Sequence, residues 1–406
     1  MKMLSLRFLF AISCGAAALD FACGEIIVDD KLPAGNIVFE KIEGDKVFVH
    51  QDLRDTKQES WFYWAMRVRG AEGRTLEFRF TKDFAVGVRG PIVSLDKGKT
   101  FFYGAEKDAS RHHFVYTFPK DANEVYFYQT FPYMPSDWMK FIEANKDSEG
   151  ERFETGVLCK TKKGRVVQRA RFGRLDGNAK YRAFVCSRNH CGETMGTFVV
   201  EGLCQAFLDD DELGQWLREN VELLVVPIVD VDGAVDGDQG KLREPHDHNR
   251  DYNHFIYPET KALTEWILGH TKGKLDIFLD IHCPWLFGKY NEFVYTPFKN
   301  PKLPNLDQER ERRYSRILEE NQSGVMRYRA KDDLDFGVAW NTGKNYHLGW
   351  SSVVWAFNKI PGIKISRSYE VPFHNANGVR VTPCTCREFG RDTAKAFKVF
   401  LEEFGK

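Results

Sequence analysis

The sequence has no excess of charge of either sign: 58 Lys and Arg balance 58 Asp and Glu over 406 residues. That balance removes the electrostatic basis for holding nucleic acid or an anionic membrane surface. Its nine cysteines include no C-x-x-C pair, so no finger-type metal site is encoded. Low-complexity stretches and internal repeats are absent, which excludes a linker-like or solenoid chain. The apolar run Phe8 to Leu19 falls short of the roughly 20 residues that a membrane-spanning helix needs.

What is present is a long, aromatic-rich chain. Aromatic residues make up 14% of it and 33 are Phe, a composition that suits a large core. Its length allows two or three domains. Lys2 and Arg7 precede the apolar run, which ends in the small residues Gly15-Ala16-Ala17-Ala18, the pattern of a secretory signal. Residues 1–23 are therefore expected to be a signal peptide, and the mature protein to be exported, periplasmic or secreted, without a transmembrane span. Ala11-Ile12-Ser13-Cys14 loosely resembles a lipobox, so a lipid anchor stays open as a variant. Seven cysteines lie beyond the signal. The odd number leaves at least one free, and the pairing of any others cannot be read.

Residues 24 to 135 read as an all-β sandwich. Short runs such as Leu76-Glu77-Phe78-Arg79-Phe80 and Phe114-Val115-Tyr116-Thr117-Phe118 alternate inward and outward positions, with turn signals such as Asp96-Lys97-Gly98 between them. From about residue 136 the pattern changes to strands alternating with helices. Lys180 to Cys186, Val221 to Val229 and Leu275 to Ile281 read as strands; Gly196 to Leu208, Thr260 to His270, Glu309 to Asn321 and Arg387 to Phe404 read as helices. Nearly continuous apolar strands separated by helices imply an α/β domain over 136–406: a mixed, largely parallel sheet flanked by helices.

Function in such sheets sits at the carboxyl ends of the strands, and the candidate residues fall there. His190 and Glu193 follow the strand ending at Cys186. Asp232 follows the one ending near Val229, His282 follows Ile281, and Glu370 ends the run Gly362 to Tyr369. An imidazole and a carboxylate three residues apart offer two of the three protein ligands of a catalytic zinc. Alone such a pair is more often a surface helix pair; four candidates on one rim argue otherwise.

Taken in order, these residues resemble the zinc metallocarboxypeptidases, in the branch that includes bacterial and cytosolic carboxypeptidases. The resemblance covers about residues 155 to 400 and rests on His190-Cys191-Gly192-Glu193-Thr194, Pro227 to Gly233, Asp247-His248-Asn249-Arg250-Asp251-Tyr252, Asp280-Ile281-His282 and Ser368-Tyr369-Glu370. The preceding sandwich, closing on Phe131 to Asp137, fits the same branch. The resemblance implies Zn2+ held by His190, Glu193 and His282, with Glu370 as general base and then acid. It also implies a peptide substrate whose free C-terminal carboxylate is bound by Asn249 and Arg250. Arg243 is the expected oxyanion stabiliser and Tyr346 the expected substrate-capping residue. Cys191 and Cys283 are expected to pack rather than ligate. His246, His248 and His254 crowd the anchor loop, and none is singled out. The stretch Trp350 to Trp355 carries no basic residue, which favours a neutral or aromatic terminal side chain over glutamate. Cell-wall stem peptides, a deacylase acting on small acylated amino acids, and a non-catalytic binding protein on the same fold remain alternatives.

Overall fold

A computed structural model of the protein describes residues 25–54, 56, 61–82, 84–304 and 306–405. The expected signal peptide, and with it the lipobox-like stretch, lies outside the described residues. Residues 27 to 128 form two five-stranded sheets. Inward positions of the alternating strands (Trp64, Met66 and Val68; Leu76, Phe78 and Phe80; Phe114 and Phe127) fill the space between them.

The second part of the chain is built on one six-stranded sheet. Its strands are β1 (Phe153–Lys160), β2 (Val166–Gly173), β3 (Tyr181–Ser187), β4 (Val221–Val226), β5 (Ile277–His282) and β6 (Ile365–Glu370), in the order β1-β2-β4-β3-β5-β6. β1, β2 and β4 pair antiparallel, whereas β4, β3, β5 and β6 run parallel. β4, β5 and β6 are buried along their whole length, which explains the largely continuous apolar runs of β4 and β5; β6 is polar at Ser366, Arg367, Ser368 and Glu370 and buries those groups.

Five helices bear on the site: α1 (Met195–Leu208), α2 (Pro258–Thr271), α3 (Gln308–Asn321), α4 (Ser352–Lys359) and α5 (Pro383–Phe404). Phe184 of β3 stacks on Phe278 of β5, and Trp266 of α2 and Trp355 of α4 close over them. Since side chains alternate along a strand, Asp280 and His282 share the Phe278 face. On the opposite face α1 packs along α5. Two glycines permit that approach: a Cβ on Gly202 would stand 2.1 Å from the Arg387 carbonyl oxygen, and one on Gly390 2.2 Å from that of Val199. α5 begins at Pro383 rather than Arg387, with Thr382 as its cap accepting from the Thr385 amide. β4 ends at Val226 because Pro227 cannot donate to a ladder. No disulfide joins the seven cysteines among the described residues. Within the same residues no helix is long and apolar enough to cross a membrane.

The sandwich docks beside the carboxyl end of β6. His374, four residues past Glu370, lies against Gly87, and its Nε2 donates to the Gln129 carbonyl at 2.7 Å. Phe62 packs edge-on against Phe373, Arg89 donates to Asn375 Oδ1 at 2.8 Å, and the Tyr103 hydroxyl donates to the Val381 carbonyl at 2.6 Å. Burial pushes the His374 imidazole down to about 4, so it stays neutral in this apolar seam.

Candidate active site

Parallel pairing sets the first relationship in the site. In the β5–β6 register His282 stands directly opposite Glu370, so a candidate ligand and the candidate base share one rim without help from any loop. His190 and Glu193 come from the turn between β3 and α1, where Arg188 takes a positive φ of 64° and Asn189 and Thr194 are buried. His190 Nδ1 lies 2.9 Å from Glu193 Oε1, and His282 Nδ1 lies 2.8 Å from Glu193 Oε2.

The far nitrogens face carboxylates. His282 Nε2 is 2.9 Å from Asp280 Oδ2, and His190 Nε2 is 3.5 Å from Asp247 Oδ1. A proton on each Nε2 faces those carboxylates and leaves both Nδ1 lone pairs facing the Glu193 oxygens. Lone pairs opposed at such distances need positive charge between them. Without a metal, and against the effect of burial, the surrounding carboxylates raise both imidazoles towards the charged form. Burial raises the Glu193 carboxyl, but those charged imidazoles more than offset it and hold the group well below the usual carboxylate range. In the same way, His190 holds buried Asp247 low.

The trio lines a cavity of about 300 Å³ that also includes Lys241, Asn249, Arg250, Tyr346 and Glu370. The Glu370 side chain makes no hydrogen bond among the described residues, and burial pushes it up to about 7. Arg250 donates from Nε to the Asn345 carbonyl at 2.9 Å and from Nη1 to that of Asn249 at 2.7 Å. Among the described residues Nη2 has no hydrogen-bond partner. Tyr346 lies under the guanidinium, 5.2 Å from ring centroid to Cζ, and donates its hydroxyl to Asn341 Oδ1 at 3.0 Å. Asn249 accepts from the Ser352 amide at 3.1 Å, and its Nδ2 lies 3.2 Å from His282 Nε2.

No protein-family model matches the chain. Solved structures of the same architecture are metallocarboxypeptidases. One from Burkholderia cenocepacia superposes with a TM-score of 0.73 at 18% identity, over 93% of this chain and 99% of the other. A Pseudomonas aeruginosa metallo-carboxypeptidase in complex with (2-guanidinoethylmercapto)succinic acid gives 0.73 at 19% identity, with the same coverage.

The chain has the metallocarboxypeptidase fold.

Among curated sequences it is similar to cytosolic carboxypeptidase 6 of Caenorhabditis elegans, 22% identical over 70% of this chain and 72% of that one. It is also similar to mouse cytosolic carboxypeptidase 4, 25% identical over 53% of this chain, but it spans only 19% of that protein's length.

Within the metallocarboxypeptidase fold the donor set suits zinc. Two imidazole nitrogens and a carboxylate, each offering an atom within 4.8 Å of the others, are the ligand types of a catalytic site that keeps a position open. The carboxylates behind both imidazoles are the outer shell that fixes ring orientation in such sites. A second convergent group, Asp230, His248 and Glu259, is tied into a polar network off the cavity, with His248 Nδ1 and Glu259 Oε2 left without hydrogen bonds among the described residues. Asp230 accepts from Arg243 at 2.5 Å and from the Gly233 amide at 2.8 Å, while His248 Nε2 meets Glu259 at 2.7 Å.

That network corrects one expectation. Arg243 does not reach the cavity: its guanidinium is bound by Asp230 at 2.5 Å and by Asp238 at 2.7 Å, beside Cys191. A buried arginine needs paired carboxylates, and the Asp-rich stretch Asp230 to Asp238 provides them. His246, His248 and His254 lie off the cavity wall. Cys191 and Cys283 are buried, and Cys191 donates to the Asp238 carbonyl at 3.0 Å. Sequence reasoning assigned no role to Asp247, although the D-x-N-R segment contained it. It also passed over Lys241, for which no local signal existed.

The outer wall of the cavity is apolar: Phe298, Leu303, Trp340, Trp350, Val353 and Val354. Two basic residues border it from outside the Trp350 to Trp355 stretch. Lys299 donates to Glu311 at 2.7 Å. Arg367 donates to Ser315 Oγ at 2.8 Å and to Asp333 at 3.3 Å. Arg367 is buried and Lys299 half-buried, and both are charge-compensated.

Proposed function

We propose that the protein is a zinc-dependent carboxypeptidase that removes a neutral, large apolar or aromatic residue from the C-terminus of a peptide. The observation that carries this reading is the rim made by one parallel register. His282 stands opposite Glu370, His190 and Glu193 close the ligand set, and Arg250 faces the same cavity. Zinc held by His190, Glu193 and His282 supplies a Lewis acid that polarises the scissile carbonyl and acidifies water.

The chain's own residues do the rest. Arg250 presents Nη2 to the terminal carboxylate, with its plane fixed by Asn345, Asn249 and the Tyr346 ring. Glu370, held in the cavity wall, takes a proton from the attacking water and returns it to the leaving amine. Asn249 accepts from the Ser352 amide, which supports a positioning role more than the substrate contact expected of it. The apolar wall accepts the terminal side chain. Lys299 and Arg367 already have acidic partners, so neither of these two offers an unpaired charge to a glutamate side chain. The N-terminal basic and apolar pattern supports export as the setting.

Incubating the zinc-loaded protein with a mixed peptide library, with products read by mass, tests the proposal. Loss of single C-terminal aromatic or aliphatic residues is expected, abolished by a chelator and by Glu370→Gln. Arg250→Ala should raise KM at least 100-fold, and peptides with an amidated C-terminus should resist wild-type enzyme. Activity indifferent to chelation, or release of acyl groups alone, would sink the reading.

A further inference from the structure

With Arg243 bound up in the Asp230–Asp238 network, the cavity lacks the cation that the sequence assigned to the developing oxyanion. Lys241 occupies the wall in its place. It shares the cavity with His190, Glu193, His282 and Glu370. Among the described residues its ammonium forms no hydrogen bond or ion pair, whereas Lys299 and Arg367 are both tied to carboxylates. Its charge acts on Glu370, where it counters part of the burial effect.

The backbone on either side of Lys241 is fixed from two directions. Toward the metal-binding turn, the Gly192 amide donates to the Gln239 carbonyl at 3.0 Å and the Cys191 thiol donates to that of Asp238 at 3.0 Å. Gly240, at φ +79°, permits the approach, because a Cβ there would stand 2.5 Å from the Cys191 nitrogen. Toward the sandwich, the Phe62 and Tyr63 amides donate to Gln239 Oε1 at 2.6 and 3.1 Å, and Arg54 donates to Asp238 at 2.6 Å. Downstream, the Leu242 amide donates to Asp247 Oδ2 at 3.0 Å, the same carboxylate whose other oxygen backs His190. The base of the Lys241 side chain is therefore held by the metal turn on one side and by the N-terminal sandwich on the other. A group held this way needs little rearrangement when charge appears.

We infer that Lys241 is a catalytic residue: its ammonium stabilises the negative charge that grows on the scissile carbonyl oxygen as water adds. The inference rests on the carboxypeptidase reading. The proton of the attacking water goes to Glu370 and then to the leaving amine, so Lys241 contributes charge and no proton.

The experiment compares full-length, zinc-loaded wild type with Lys241→Met and Lys241→Arg. Removing one oxyanion donor costs about 100- to 1,000-fold in kcat. Lys241→Met should fall in that range, with KM within a few-fold and zinc content unchanged, and Lys241→Arg should restore much of the rate. Binding gives a second readout. A phosphonate peptide analogue, tetrahedral and anionic at the reacting position, should lose about 100-fold in affinity in Lys241→Met. N-acetylphenylalanine, which offers only a terminal carboxylate, should bind both proteins equally. Wild-type kcat and phosphonate affinity in Lys241→Met would overturn the inference, as would an equal loss for both ligands. If wild type shows no peptidase activity, the parent reading fails, and the two-ligand comparison still decides Lys241.

Discussion

Glu370 ought to make the metal-free protein less stable at neutral pH, and Glu370→Gln ought to relieve that. The carboxyl ordinarily titrates near 4.5 and is pushed up to about 7 here by burial. A folded-state value above the unfolded one means that the folded protein holds its proton longer. Below the unfolded value both states are protonated and nothing is lost. As pH rises from about 4.5 through about 7, the unfolded chain ionises freely while the folded one resists, and stability falls. Above about 7 the full cost remains. At about 1.4 kcal/mol per pH unit the interval is worth about 3 kcal/mol. Glutamine has the same shape and nothing to ionise. In urea unfolding with chelator present, the stability difference between Glu370→Gln and wild type should grow by about 3 kcal/mol between pH 4.5 and pH 8. The same variant should be inactive when loaded. An offset that stays constant across that range would refute the burial argument.

Two further outcomes follow from neighbours of the site. Asp247→Asn removes the anion behind His190 Nε2 and should weaken zinc binding about 10- to 100-fold, measured by competition with a chromophoric chelator; unchanged affinity would show that the 3.5 Å contact does not orient the ring. Gly87→Ala would put a methyl 1.8 Å from the His374 ring. Expelling the ring and its hydrogen bond to Gln129 should cost about 2–4 kcal/mol of stability, read as an earlier unfolding transition. A neutral substitution would mean that the sandwich seam adapts freely.

The fold was legible because burial imposes patterns on sequence. Fully buried parallel strands favour continuous apolar runs, and β4 and β5 carry them, apart from the end of β4 at Pro227; β6 is buried although Ser366, Arg367 and Ser368 interrupt it. The ligand candidates were legible for a related reason: they follow directly on strand ends, so chain order fixes their place on the rim. His282 opposite Glu370 is the clearest case, since one ladder register aligns two residues 88 positions apart.

Loop residues were not legible in this way. Arg243 and Lys241 are two positions apart on a segment without periodicity, and either cation could have faced the cavity. The choice was made by partners brought from elsewhere: Asp230 and Asp238 draw Arg243 inward, while Gln239 and Gly240, pinned between Phe62 and Cys191, turn Lys241 to the cavity wall. Lys299 and Arg367 show the same limit. Both border the cavity, and only the positions of Glu311 and Asp333 reveal that their charge is already spent. By itself the sequence determined the strands, their order along the rim and the residue types able to hold a metal, because these depend on hydrophobic period and chain neighbours. Which cation faces the reacting centre, and how the sandwich helps to hold it there, was decided only by tertiary structure, because charge compensation in a buried site depends on groups far apart in the chain.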